Sequence, residues 1–187
     1  MSRKHSNVFL VVGGRGRGKT TFIQNLLEKS PQPKKLVVDT FAHPAYSDYN
    51  AVTLQELYNF KNYNGLFHLA EPQIESHLAD VSKLVRNTMI VFEDCLKYIQ
   101  PNPQPAIRNI CLDSKQKGND VFFLYHSWSQ VPPKLATWAD YAIIFKTQET
   151  FENQKSRLGG IYSSIYPAYK QVEKSKNHYE VKSVQLY

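Results

Sequence analysis

The sequence predicts an α/β three-layer sandwich: a mostly parallel central sheet, helices on both faces, and a short C-terminal extension. Three observations predict it. Apolar runs such as Val8–Val12, Thr88–Phe92 and Tyr141–Phe145 are unbroken rather than alternating, as in strands buried on both faces. Stretches with helical spacing alternate with these runs, which favours crossover connections and parallel pairing. The composition is that of a globular domain: 187 residues, 42% hydrophobic, 13% aromatic and 21% charged.

Taken in order, Val8–Val12 is the first strand. Lys19–Lys29 follows as a helix carrying Phe22, Ile23, Leu26 and Leu27 at helical spacing, and Pro31 and Pro33 end it. Residues 36–39 form a second short buried strand. Thr53-Leu-Gln-Glu56 is a capping box that opens a short helix, and residues 65–69 have strand character. Pro72 suits the first position of a helix reaching about Asn87, with Ile74, Leu78, Val81 and Val85 as its apolar stripe. The strand Thr88–Phe92 ends in Glu93-Asp94. A proline-marked loop leads to a helix over 106–116, and Gly118-Asn119 turns into a strand over 121–125. Pro132-Pro133 starts a short helix before the strand Tyr141–Phe145. Gly159-Gly160 then breaks the chain ahead of a Tyr-rich helix and a final strand within 179–186. The core is expected over residues 1–148, with 149–187 as an extension packed on it.

Charge and cysteine usage narrow the setting. The net charge is +7, with twelve Lys/Arg against seven Asp/Glu from Cys95 onward and eleven against nine before it. That balance permits a polyanionic partner without demanding one. Cys95 and Cys111 have neither metal-ligand spacing nor a disulfide framework, which suits a reducing, cytoplasmic compartment. Arg3 and Lys4 precede an apolar stretch too short for a signal peptide, and Arg15 and Arg17 follow it directly. No run approaches the ~18 apolar residues of a spanning helix, so no integral membrane segment is expected.

The chemistry gathers at the glycines. Four of the eight fall between Gly13 and Gly18, within Gly13-Gly-Arg-Gly-Arg-Gly-Lys19-Thr20. This matches G-x-x-x-x-G-K-[ST] between a strand and a helix, a backbone cradle for nucleotide phosphates. Its candidate nucleotide-binding residues are Gly13, Gly14, Arg15, Gly16, Arg17, Gly18, Lys19, Thr20 and Thr21. Lys19 is expected to reach the β- and γ-phosphates, and the Thr20 hydroxyl to bind Mg²⁺. Glu93 is assigned to the metal and Asp94 to the attacking water, roles that are exchangeable on sequence alone. His126, at the end of the next strand, is either a polar group reporting the γ-phosphate or an ordinary histidine; Ser127 is a weaker candidate. Arg15 and Arg17 contact phosphates, a neighbouring subunit, or only solvent. Lys115, Lys117 and Arg108 are the candidates for a trans-acting cationic finger, against the plainer role of lysines at a helix C-terminus.

A G-x-R-G-x-G-K-[ST] loop over Gly13 to Thr20, a strand ending in Glu93-Asp94 and a strand ending in a polar sensor resemble the P-loop ATPases with an additional strand and a catalytic acid. Within these, the chain over about Asn7 to Thr147 resembles viral and phage genome-packaging ATPases and zonula-occludens-toxin-type phage assembly proteins, near the FtsK–HerA superfamily. Arg15 at the third loop position is shared with packaging ATPases. His126 stands where glutamine is frequent, Lys115 or Lys117 where an arginine finger is expected, and the acids run Glu-Asp. The resemblance implies a Mg²⁺-dependent ATPase with ATP as substrate. It implies a homo-oligomeric ring moving double-stranded DNA, docked on a capsid or membrane vertex protein, in the host cytoplasm or with the virion.

Two other functions fit the same loop. A small nucleoside or nucleotide kinase would use aromatics such as Tyr46, Tyr49 and Phe67 to stack a base, although no arginine for a lid occurs between Val121 and Lys155. A nucleotide-dependent assembly factor is the non-enzymatic alternative. The chain has no N-K-x-D guanine motif, which leaves adenine by exclusion.

Overall fold

A computed structural model describes residues 6–187; Arg3 and Lys4 lie outside them. Eight strands make one sheet: β1 (Val8–Val12), β2 (Lys34–Asp39), β3 (Asn50–Ala51), β4 (Gly65–Ala70), β5 (Thr88–Phe92), β6 (Asp120–Tyr125), β7 (Tyr141–Phe145) and β8 (Val181–Gln185). Their order is β3-β4-β2-β5-β6-β1-β7-β8. β1 to β7 run parallel, and β8 closes the far edge antiparallel to β7. The helices are α1 (Lys19–Lys29), α2 (Ile74–Leu84), α3 (Pro105–Leu112), α4 (Ser114–Lys117), α5 (Pro133–Trp138), α6 (Lys155–Leu158) and α7 (Ile161–Lys174).

The unbroken apolar runs feed two cores because successive side chains leave a strand on opposite faces. From β1, Val8, Leu10 and Val12 enter one core and Val11 the other. β5 divides likewise into Ile90 and Phe92 against Met89 and Val91, and β6 into Val121, Phe123 and Tyr125 against Phe122 and Leu124. The larger core is covered by Ile74, Leu78 and Val81 of α2, Ile107 of α3, Leu135 of α5, and Ile165, Tyr169 and Val172 of α7. The smaller is covered by Ile23 and Leu27 of α1. This is the three-layer sandwich that the sequence predicts.

Several boundaries differ from expectation. The helix over 106–116 is broken at Asp113, whose ψ of −1° separates α3 from α4. Lys117 pins the second piece by donating to Ser82 O (2.7 Å) and pairing with Asp113 (2.9 Å). α2 begins at Ile74, so Pro72 precedes the helix instead of opening it. The capping box forms, with Thr53 N donating to Glu56 Oε2 (2.8 Å) and Glu56 N to Thr53 Oγ1 (3.3 Å), but it opens a 3-10 turn over Glu56–Asn62. β3, two residues long, carries no periodicity to detect.

The strand order sets the site. β6 lies between the strand that feeds the glycine loop and the strand that ends in two acids. The registers Val12↔Tyr125 and Phe92↔Phe123, with Glu93 N bonded to Val38 O, bring Gly13, His126, Glu93 and Asp39 to one edge. Open parallel sheets bind ligands at this carboxyl edge.

Candidate active site

Two backbone bonds hold the start of the glycine loop: Gly13 N donates to Tyr125 O (3.1 Å) and Gly14 N to Lys146 O (2.9 Å). Gly13 lies so near β7 that a Cβ would clash with Phe145 Cβ. Gly16 and Gly18 have φ of +68° and +87°, a region that side chains disfavour. α1 then starts at Lys19 without a side-chain cap and without an acid in its first turn. Its leading N–H groups and the positive end of its dipole are therefore not met by side chains of its own first turn, and a terminus of this kind accepts phosphate.

Lys19 is 7% exposed. Its Nζ donates to Gly13 O (2.5 Å), Gly14 O (3.1 Å) and His126 Nδ1 (3.2 Å). Burial lowers its pKa to about 8, against the raising effect of Glu93 and Asp94. Because an ammonium donates to Nδ1, the proton of neutral His126 is assigned to Nε2. That nitrogen faces Asp94 Oδ1 at 3.1 Å. Burial and the neighbouring Lys19 hold His126 below the ordinary histidine range, in keeping with the neutral ring. Asp94 Oδ2 in turn meets Lys97 Nζ at 2.8 Å. A continuous polar chain thus runs from the loop carbonyls through Lys19, His126 and Asp94 to Lys97.

The two acids occupy different surroundings because Asp94 turns the backbone into the left-handed region, φ +49°. Glu93 stays buried at 8% exposure and accepts a hydrogen bond from the Tyr46 hydroxyl. Its backbone oxygen accepts from Tyr98 Oη (2.8 Å). Burial pushes Glu93 up to about 7. Asp94 is more open; burial pushes its carboxyl up, but Lys97 and His126 outweigh that and hold it below its usual value.

Glu93 makes stability depend on pH. Its folded pKa lies above its unfolded one, so the stabilisation is present when the group is protonated and is lost as pH rises toward and through about 7. Without nucleotide, the protein should lose about 2 kcal/mol between pH 5 and 7.5 from this group. Glu93→Gln should remove most of that slope and melt higher than wild type at pH 7.5. Urea melts of both proteins at the two pH values check it, and equal slopes would refute the assignment.

The cleft encloses about 630 Å³ and is lined by Arg15 to Thr21, Glu93, Asp94 and His126, together with residues that the motifs do not single out: Asp39, Phe41, His43, Lys97 and Tyr179. Asp39 has a sequence signal, since residues 36–39 are a buried run ending in an acid, as β5 is. It is 1% exposed; one oxygen accepts from Thr40 N (2.7 Å), and Oδ2 lies 3.9 Å from His68 Nε2. Burial raises its pKa. Lys97 has no such signal, because its place depends on the turn that Asp94 makes.

Other candidates fall elsewhere. Lys115 pairs loosely with Asp140 (3.8 Å), and Lys117 is held by Ser82 and Asp113. Both follow α3 at the strand-entry edge, where Asn87 N donates to Lys117 O (2.8 Å), while Arg108 is exposed on α3. None of the three lines the cleft. Arg17 bonds the His178 ring, and Ser127 Oγ pairs with Ser129 Oγ (2.8 Å) outside the cleft. The aromatics considered for base stacking are also displaced. Tyr46 is buried with its hydroxyl on Glu93, the Tyr49 hydroxyl is buried, and Phe67 packs on Phe60 and Tyr63.

Phosphate-bound Mg²⁺ needs one or two hard oxygen ligands from protein, and Thr20 and Glu93 at the cleft supply that donor type. Among the described residues, no cluster of three or more His, Cys, Asp or Glu could hold a metal by itself. No helix among them is long and apolar enough to cross a membrane.

No protein-family model matches the chain, and no curated protein matches it in sequence. Solved structures do match in fold. The genome-packaging NTPase B204 from Sulfolobus turreted icosahedral virus 2, in complex with ATPγS, superposes with a TM-score of 0.74 at 15% identity, covering 98% of this chain and 94% of that one. VirB4 of Thermoanaerobacter pseudethanolicus gives 0.60 at 7% identity, covering 96% and 89%. With β6 between the loop strand and the acid strand, the chain shares the α/β P-loop NTPase fold of these structures.

Proposed function

We propose that the protein is a Mg²⁺-dependent ATPase that works as a DNA-translocating motor of the genome-packaging kind. The observation that carries the nucleotide reading is the linked set Lys19, His126 and Asp94 above the buried Glu93, at the mouth of a glycine cradle. In this reading the N–H groups of the loop and of the first turn of α1 bind phosphates, and Lys19 exchanges loop carbonyls for phosphate oxygens. Thr20 and Glu93 hold Mg²⁺, which neutralises charge on the phosphates when bound. Asp94, ionised at neutral pH, orients the attacking water and accepts its proton. His126 bridges Lys19 and Asp94, so a phosphate group that draws Lys19 away also releases the His126 ring from one of its two holds.

The motor role is supported by the likeness to B204, a genome-packaging NTPase, and by the basic excess of +7. In it, copies of the chain form a ring, cations of one copy complete the site of the next, and DNA is held through its phosphates. Lys115 and Arg108 are the open candidates for that trans contact, since Lys117 is already engaged. A capsid or membrane vertex protein would receive the ring.

The test is ATP hydrolysis with and without double-stranded DNA, alongside the mass of the assembly in ATP. Stimulated turnover and a multimer are expected. Unstimulated turnover by a strict monomer would overturn the motor role, and phosphorylation of an added nucleoside or nucleoside monophosphate would redirect the assignment to a kinase.

A further inference from the structure

The phosphate end of the cleft is well furnished, but none of the aromatics singled out in the sequence reaches it, so what holds the rest of a nucleotide must be sought among the lining residues. Two exposed aromatics are there, Phe41 and Tyr179. Phe41 stands on the acid side, with Lys97 Nζ over its ring at 4.3 Å. That side belongs to the terminal phosphate, because Asp94 and His126 are there. Tyr179 stands on the other side, over the loop: a Cβ on Gly18 would meet its Cδ1 at 3.2 Å. It is 63% exposed, a large apolar surface kept in water beside a polar cleft.

The segment bearing Tyr179 is built to hold it there. It connects α7 to β8, so both ends are anchored on the sheet. Within it Asn177 N donates to Ser175 Oγ (3.1 Å), Tyr179 N to Asn177 Oδ1 (3.0 Å) and Glu180 N to Asn177 O (3.3 Å). His178 packs edge-on against the Tyr179 ring at 5.1 Å, and Arg17 of the glycine loop donates to His178. The turn is therefore tied to the loop that holds the phosphates, and an aromatic fixed in this way binds at little entropic cost.

We propose that Tyr179 is the platform on which the base of the bound nucleotide stacks, the sugar bridging Tyr179 and the phosphate loop. The proposal rests on the nucleotide reading above and extends it to a residue in the C-terminal segment. Stacking of a base on an aromatic is indifferent to the edges of the base, so Tyr179 serves affinity and not the choice among bases.

Calorimetric binding of ATP and of inorganic tripolyphosphate to wild type, Tyr179→Ala and Tyr179→Phe tests it. The alanine variant should bind ATP about tenfold more weakly, the size of effect that stacking supplies, and bind tripolyphosphate as wild type does. The phenylalanine variant should behave as wild type with both ligands. Unchanged ATP affinity in Tyr179→Ala overturns the stacking role. Equal loss of ATP and tripolyphosphate also overturns it, since the side chain would then act on loop shape. Wild type that binds neither ligand overturns the nucleotide reading together with the proposal.

Discussion

Lys19→Ala abolishes ATP hydrolysis, with turnover reduced by at least about 10²–10³-fold, the scale for losing a preorganised electrostatic donor to a developing oxyanion. The structure explains why one side chain carries so much. Its Nζ is buried and holds three partners, the carbonyls of Gly13 and Gly14 and the ring of His126. Burial also drives its pKa down to about 8, so the free protein bears the cost of a poorly solvated cation. Phosphate charge relieves that cost when a nucleotide binds, which ties ligand affinity to this residue. Lys19→Arg does not restore turnover, because a planar guanidinium cannot place a point charge among the same three acceptors. Steady-state hydrolysis of both variants against wild type is the measurement. Turnover at the wild-type rate in Lys19→Ala would remove the cleft from consideration as the site of chemistry.

Much of this arrangement was legible in the sequence because the signals are local. The glycine loop, α1 and the strands β1, β5 and β7 follow from buried runs, turn residues and helix boundaries. The acids at 93 and 94 follow from a buried strand that ends in charge. What stayed hidden depends on register and on single backbone angles. Tyr46 is offered by the sequence as an aromatic to stack a base, yet it packs under α1 and hydrogen-bonds Glu93 because the 3-10 turn over Pro44–Tyr46, after β2, folds back over the sheet. Lys97 reaches Asp94 only because Asp94 adopts φ +49°. Tyr179, in the far C-terminal segment, is brought to Gly18 by the antiparallel addition of β8 to β7. The helix over 106–116 divides at Asp113, where one residue's ψ outweighs a periodic pattern.

Asp94→Asn keeps nucleotide binding and loses turnover by about 10²–10⁴-fold, the range that a positioned general base supplies. The substitution separates the two acids because their surroundings differ. Glu93 is buried against Tyr46 and titrates near 7, whereas Lys97 and His126 keep Asp94 ionised at neutral pH. A base must be ionised and open to water, and Asp94 meets both conditions in the free protein. Asparagine preserves the shape and still accepts from His126 Nε2, so the link to Lys19 survives while the proton acceptor is gone. Affinity for ATP should therefore stay within about threefold of wild type, less than the 1.4 kcal/mol of a tenfold change. Single-turnover hydrolysis measured beside equilibrium binding distinguishes the two effects. If turnover persists in Asp94→Asn and disappears in Glu93→Gln, the water belongs to Glu93, and the open acid serves instead to hold His126 and Lys97 in place.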